Sequence, residues 1–170
     1  MTVVTFRPLD PADLHTLHDW LNRPHVAEWW QPTPSFAELE EEYAEHFARS
    51  SGVKPYVALA DGSPIGYIQS YTAMGSGGGW WTDEQDPGVR GIDQFLARAE
   101  DLGRGLGSLM VRTFVETLFA DPAVTRVQTD PSPENHRAVR AYEKAGFRRV
   151  NEIDTPDGRA LLMIRERPAR

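Results

Sequence analysis

Apolar positions along this chain change period from segment to segment, and the changes mark its elements. Val3-Val-Thr-Phe-Arg7 reads as a short strand. Asp10 then caps a helix with Pro11 at its first position, and Leu14, Leu17, His18 and Leu21 fall on one side of it. Ser35 and Glu38 form a capping-box pattern ahead of a second helix, where Phe36, Leu39, Tyr43 and Phe47 lie close to one stripe. Tyr56–Leu59 and Ile65–Tyr71 flank Asp61-Gly62, a strong hairpin signal, and a third strand is expected from Gly88 to Leu96. A helix from Leu106 turns Leu109, Met110, Thr113, Phe114 and Leu118 inward, ends near Asp121-Pro122 and leads to the strand Arg126–Thr129, a βαβ crossover. Ser132 and Pro133 are expected to start the helix that carries Tyr142. Two strands, Phe147 to Ile153 and Ala160 to Arg165, then join around Asp157-Gly158, and Arg165 to Arg170 is expected to fray.

Composition narrows the class. At 170 residues with 40% apolar and 25% charged positions, the chain is expected to form one globular domain over residues 1–170. The start lacks a basic stretch followed by an apolar one, and no run approaches membrane-spanning length, so a cytoplasmic protein without a membrane partner is expected. With no cysteine there is no disulfide, no thiolate metal site and no cysteinyl acyl-enzyme. The net charge of -7 argues against general nucleic-acid binding and favours a cationic partner. His15 and His18 can share a helical face, but no third ligand accompanies them, and no metal is expected.

Two motifs carry chemistry. Asp101-Leu-Gly-Arg-Gly-Leu-Gly107 opens a helix whose bare backbone N–H groups and macrodipole suit a pyrophosphate. Ser108 stands where a dinucleotide fingerprint needs its third glycine or alanine, and no P-loop lysine follows. Downstream, Asn135-x-x-Ala138-x-x-x-Tyr142-x-x-x-Gly146 puts a small residue, a phenol and a helix-ending glycine on one face. Together these describe an acyl-CoA site with a hydroxyl placed for a departing thiolate. Asn135 either bridges the CoA chain or lies in the first turn of its helix. Asp93, inside the apolar run Ile92-Asp-Gln-Phe-Leu96, is costly if buried unpaired and favours a ligand-facing role. In the loop Gly75-Ser-Gly-Gly-Gly-Trp-Trp81, one tryptophan is expected inside and one at the site.

The order of elements resembles the GCN5-related N-acetyltransferase superfamily across nearly the whole chain. Glu28-Trp-Trp30, Gln69-Ser-Tyr71, Gly79-Trp-Trp81, Asp86-Pro-Gly-Val-Arg-Gly-Ile-Asp-Gln-Phe-Leu96, Gln128-Thr-Asp-Pro-Ser-Pro133 and Tyr142-Glu-Lys-Ala-Gly-Phe147 are similar to the bacterial aminoglycoside 6'-N-acetyltransferases. The resemblance implies an α+β fold, a mixed central sheet with flanking helices, and direct acetyl transfer from acetyl-CoA to an amine of a cationic aminosugar, in a monomer or homodimer. It makes Tyr142 the general acid. It assigns the cosubstrate to Phe95, Leu96, Gly103, Arg104, Gly105, Gly107, Ser108 and Asn135. The acceptor falls to Trp30, Tyr43, Gln69, Tyr71, Trp80, Asp93, Asp130 and Asp157, with Asp93 orienting or deprotonating the amine and the first two helices walling off the substrate side. Two positions depart from the pattern: Leu102 replaces a usual Gln or Arg, and Gly78 replaces an acidic residue of close relatives. Another amine, such as a siderophore precursor or polyamine, and a non-catalytic acyl-CoA-binding role are the competing readings.

Overall fold

Local hydrogen bonds begin and end most elements of this chain. Residues 1–169 are described, in a computed structural model. The strands follow the order β1-β2-β3-β4-β5-β7-β6 in a seven-stranded sheet, and two compact units are distinguished: residues 1–69 with 94–102, and 70–93 with 103 onward.

In the first unit, β1 (Val4–Pro8) pairs antiparallel with β2 (Lys54–Ala60), from Val4 opposite Ala60 to Pro8 opposite Tyr56. Asp61 and Gly62 take positive φ (48° and 83°) and turn the chain into β3 (Ser63–Thr72), as the dipeptide foretold. Asp10 caps with a full capping box to Asp13, but what it opens is a single 3-10 turn, Pro11–Asp13; α1 follows as Leu14–Leu21. Asp13 also holds Arg7 at 2.7 Å, tying that turn to β1. A four-residue helix, α2 (Pro24–Ala27), was not expected, because one turn is too short to show a period. The Ser35–Glu38 box opens α3 (Phe36–Phe47), and Leu17, Val26, Leu39, Tyr43, Tyr67 and Phe95 share the unit's core. His15 stacks on Phe36 with centroids 4.2 Å apart and His18 bonds the Pro34 carbonyl at 3.2 Å, so both histidines serve packing.

The second unit holds the end of β3, most of β4 (Val89–Leu96), α4 (Leu106–Phe119), β5 (Arg126–Thr129), α5 (His136–Lys144), β6 (Arg148–Thr155) and β7 (Gly158–Glu166). β4 and β5 pair in parallel from Val89 opposite Arg126 to Gly91 opposite Gln128, which is the expected crossover. β7 pairs antiparallel with both β5 and β6. The inward stripe of α4 is rotated from expectation: Met110, Val111, Phe114 and Val115 are buried, whereas Leu109, Thr113 and Leu118 are half-buried.

Two boundaries also differ. Ser132 and Pro133 do not start α5; the Ser132 carbonyl accepts from Asn135 N–H in a preceding turn, and Asn135 itself caps. The expected fraying does not hold for its first residues. β7 runs through Glu166, and Arg167 donates to the carbonyls of Phe119 and Val124 at 2.8 Å each and to that of Asp121. The Phe119 carbonyl is the last of α4, and those of Asp121 and Val124 belong to the loop that leads to β5, so one guanidinium ties the helix end and the loop to β7. Arg170 lies outside the described residues.

Candidate active site

The glycine turn before α4 is shaped by backbone conformation. Gly103 and Gly105 have φ of 72° and 80°, and a Cβ on either would meet nothing within 4 Å. Glycine is therefore needed here for left-handed φ, not for space. The first α4 bond runs from Leu109 N–H to the Gly105 carbonyl at 3.1 Å, and no side chain caps the helix among the described residues. The amides of Leu106, Gly107 and Ser108 thus open the helix without intrahelical partners, a donor set that fits a pyrophosphate. Gly103, Arg104, Gly105, Gly107 and Ser108 are brought together in this turn. Ser108 is buried and its hydroxyl donates to the Gly105 carbonyl at 3.0 Å, so its backbone N–H is what it has to offer an anion. Asn135 Oδ1 accepts from Ala138 N–H at 3.2 Å, which makes it the helix cap.

Three carboxylates reach into one electrostatic neighbourhood in the same unit. Asp93 comes from β4, Asp130 follows β5, and Asp157 sits in the turn between β6 and β7. Burial pushes the Asp130 carboxyl up to about 8, and the charges of Asp93 and Asp157 push the same way. Near neutral pH Asp130 therefore carries a proton when no cation is bound. Tyr71, on β3, is pushed far above the usual phenol range by burial first and by Asp93 next, with lesser pushes from Asp130 and Tyr142. It is a neutral phenol set among acids. The Trp81 indole N–H donates to its oxygen at 2.9 Å, and a Cβ at Gly91 would collide with its ring. Gly91 is thus the seat of Tyr71.

Tyr142 is 4% exposed, with its ring edge-on to Phe147 at 5.4 Å. Its helix ends as the motif foretold. Gly146 has φ of 96°, and Phe147 N–H returns to the Tyr142 carbonyl at 3.0 Å. In the glycine loop, Gly77, Gly78 and Gly79 all take positive φ, and Trp81 does too at 50°. Both Trp80 and Trp81 are half-buried, so neither is the enclosed ring that was expected beside one at the site. Beside three glycines there are too few neighbours to enclose either ring.

The remaining candidates belong to the first unit. Tyr43 donates to the Tyr67 hydroxyl at 2.7 Å, and Tyr67 donates to Gln69 Oε1 at 2.6 Å, a relay that fixes which end of the Gln69 amide accepts. Trp30 stands edge-on to Tyr67 and Phe95 at 5.9 and 5.0 Å, and Tyr67 stacks on Phe95 at 5.5 Å. The Phe95 and Leu96 side chains are buried, each 7% exposed, leaving their backbone as the means of holding a cosubstrate. Sequence reasoning gave Tyr67 and Gly91 no role at the site. Only the isolated glycine within a strand gave a usable signal, that of a close approach.

Among the described residues no group of His, Asp and Glu is arranged to hold a metal ion, and no helix is long and apolar enough to cross a membrane.

Comparison with known proteins places this geometry. Residues 10–155 match the family described as Acetyltransferase (GNAT) domain. An aminoglycoside N(6')-acetyltransferase type 1 from Klebsiella pneumoniae is 53% identical over 98% of this chain and 84% of its own length. A kanamycin resistance protein from Rhizobium radiobacter is 58% identical over 59% of this chain and 93% of its own. A crystal structure of the aminoglycoside acetyltransferase AAC(6')-Ib with coenzyme A and kanamycin superposes with a TM-score of 0.92 at 54% identity, covering 97% of this chain and 95% of that one. The match over residues 10–155 and the identity over nearly the whole chain show that the chain is a member of the GNAT acetyltransferase family.

Proposed function

We propose that this protein transfers the acetyl group of acetyl-CoA to the 6'-amino group of an aminoglycoside, as a single functional domain working in the cytoplasm as a monomer or homodimer. The observation that carries the reading is the group of acids in which Asp130 feels both Asp93 and Asp157, with the neutral Tyr71 phenol in electrostatic reach of Asp93, Asp130 and Tyr142. Carboxylates attract ammonium groups, and aromatic faces accept cations and sugar rings. The relatives that match over most of the chain act on this class of compound.

Each residue then has a task. The backbone amides around Gly103, Arg104, Gly105, Gly107 and Ser108 hold the pyrophosphate, with Asn135 as the cap of the Tyr142 helix and Phe95 and Leu96 contributing main-chain groups. Trp30, Tyr43, Gln69, Tyr71, Trp80, Asp130 and Asp157 receive the acceptor. Asp93 takes the proton that the ammonium must lose before attack, since Gly78 offers no carboxylate. The amine nitrogen bonds the thioester carbon, the carbon–sulfur bond breaks as the Tyr142 hydroxyl supplies the proton to the leaving thiolate, and the proton that the nitrogen sheds on becoming an amide restores the phenol. Converting an ammonium to an amide removes a charge that RNA recognises, which gives resistance.

The test is thiol release from acetyl-CoA with kanamycin A, which bears a 6'-amine, beside paromomycin, which bears a 6'-hydroxyl. Saturable release with the first and almost none with the second supports the reading. Equal release, or none with either despite bound acetyl-CoA, overturns it.

A further inference from the structure

Three successive carbonyl oxygens at the end of β4 are each placed by a separate device within the first unit. The Phe95 oxygen lies over Gly66, where any Cβ would collide with it, so that peptide is possible only opposite glycine. The Leu96 oxygen is 2.8 Å from His25 Nε2. A carbonyl only accepts, so Nε2 carries the proton. The Ala97 oxygen accepts from Arg23 at 2.6 Å, and Arg23 is steadied in turn by Asp19 at 2.8 Å. The Ala97 N–H meanwhile donates to the Ile65 carbonyl at 2.8 Å, so the Leu96–Ala97 peptide plane is pinned at both ends.

Pairing with β3 accounts for the Ala97 N–H, but pairing with β5 does not account for the hold on the Leu96 and Ala97 oxygens. The β4–β5 ladder has its last partnered residue at Gly91, five residues before β4 ends at Leu96. Ordinary strand ends leave such carbonyls to water. Here the short helix α2 (Pro24–Ala27) and the residue before it supply both side chains.

We infer that His25, seconded by Arg23, is a positioning residue for acyl-CoA binding: it fixes the Leu96–Ala97 peptide plane and, through it, the course of the Phe95–Leu96 backbone that meets the amide-bearing arm of the cosubstrate. This rests on the reading above that Phe95 and Leu96 hold acetyl-CoA through their backbone. His25 touches neither reactant in this scheme and acts through Leu96. The ligand feature concerned is an extended chain with alternating amide donors and acceptors, which is sensitive to the tilt of each peptide plane in a way that a packed side chain is not.

Two substitutions of similar polarity separate positioning from simple stability. His25→Gln keeps an N–H near the Nε2 position, whereas His25→Asn stops short of the Leu96 carbonyl. With kanamycin as acceptor, His25→Asn is expected to raise KM for acetyl-CoA about five- to tenfold, the size of one lost hydrogen bond. KM for kanamycin is expected to stay within about twofold, and His25→Gln to return KM for acetyl-CoA toward wild type. Equal acetyl-CoA KM values in the wild type and His25→Asn would overturn the inference, as would a parallel rise in both KM values that His25→Gln does not reverse. A wild-type protein with no saturable dependence on acetyl-CoA would instead sink the functional reading itself.

Discussion

Replacing Asp130 by asparagine removes a group that the fold holds in its neutral form. Its folded value of about 8 lies well above the ordinary 3.8, because burial and the charges of Asp93 and Asp157 all oppose ionisation. Between those two values the folded protein keeps a proton that the unfolded chain releases. The contribution of this group to stability is therefore greatest below pH 4, falls as pH rises, and levels off above pH 8. The slope from one such group is at most about 1.4 kcal/mol per pH unit, so wild type should lose up to about 3 kcal/mol between pH 5 and pH 7. Asp130 is only half-buried, and water will reduce this figure. Asp130→Asn has nothing to ionise and should escape that part of the loss. Urea unfolding of both proteins at pH 5, 6, 7 and 8 reads the difference directly: the variant should gain on wild type with each step. Two curves that stay parallel to within about 0.5 kcal/mol would refute the electrostatic account of the cluster. The same substitution should weaken kanamycin about tenfold or more in KM, because a bound ammonium draws out the Asp130 charge and then pairs with it. Stability and acceptor binding are expected to move in opposite directions, as at other sites where function keeps like charges together.

Further outcomes follow from single atoms. Tyr142→Phe should lower kcat about a hundredfold with acetyl-CoA affinity, measured by calorimetry, near wild type; unchanged turnover would remove its acid role. Gly91→Ala places a methyl group where the Tyr71 ring sits; thermal unfolding should show a loss of about 1–3 kcal/mol together with a raised kanamycin KM. Gly105→Ala meets no clash but must hold φ of 80°, so about 1–2 kcal/mol of strain should appear as weaker acetyl-CoA binding in titrations, with kanamycin KM unmoved. Gly78→Asp supplies the carboxylate of close relatives at φ of 65°, with its Cβ 3.3 Å from Trp80 Cδ1; aspartate tolerates that conformation, and steady-state assays should show a rise in kcat with kanamycin.

What was legible in the sequence was local. Asp10 and Ser35 cap over three residues, Asp61-Gly62 and Gly158 turn at positive φ, and the Gly103–Gly105 turn and the Gly146 helix end adopt the conformations their composition demands. Each depends on neighbours a few positions away, so spacing alone announces it. Resemblance added the family and the names of the site residues, including Asp130 and Asp157, which look like ordinary turn residues by themselves. Tertiary structure decided the rest. The state of Asp130 depends on burial and on two acids from other strands and turns, none of them adjacent in the chain. Tyr71 is held by Trp81 on one side and Gly91 on the other, and Leu96 by a histidine 71 residues earlier. Arg167 left the expected frayed end because it reaches the Phe119 carbonyl at the end of α4 and the Val124 carbonyl in the loop before β5, 48 and 43 residues earlier. Conformation is encoded within a turn of chain, whereas charge state, ring placement and peptide-plane orientation arise only when distant segments exclude water from one another.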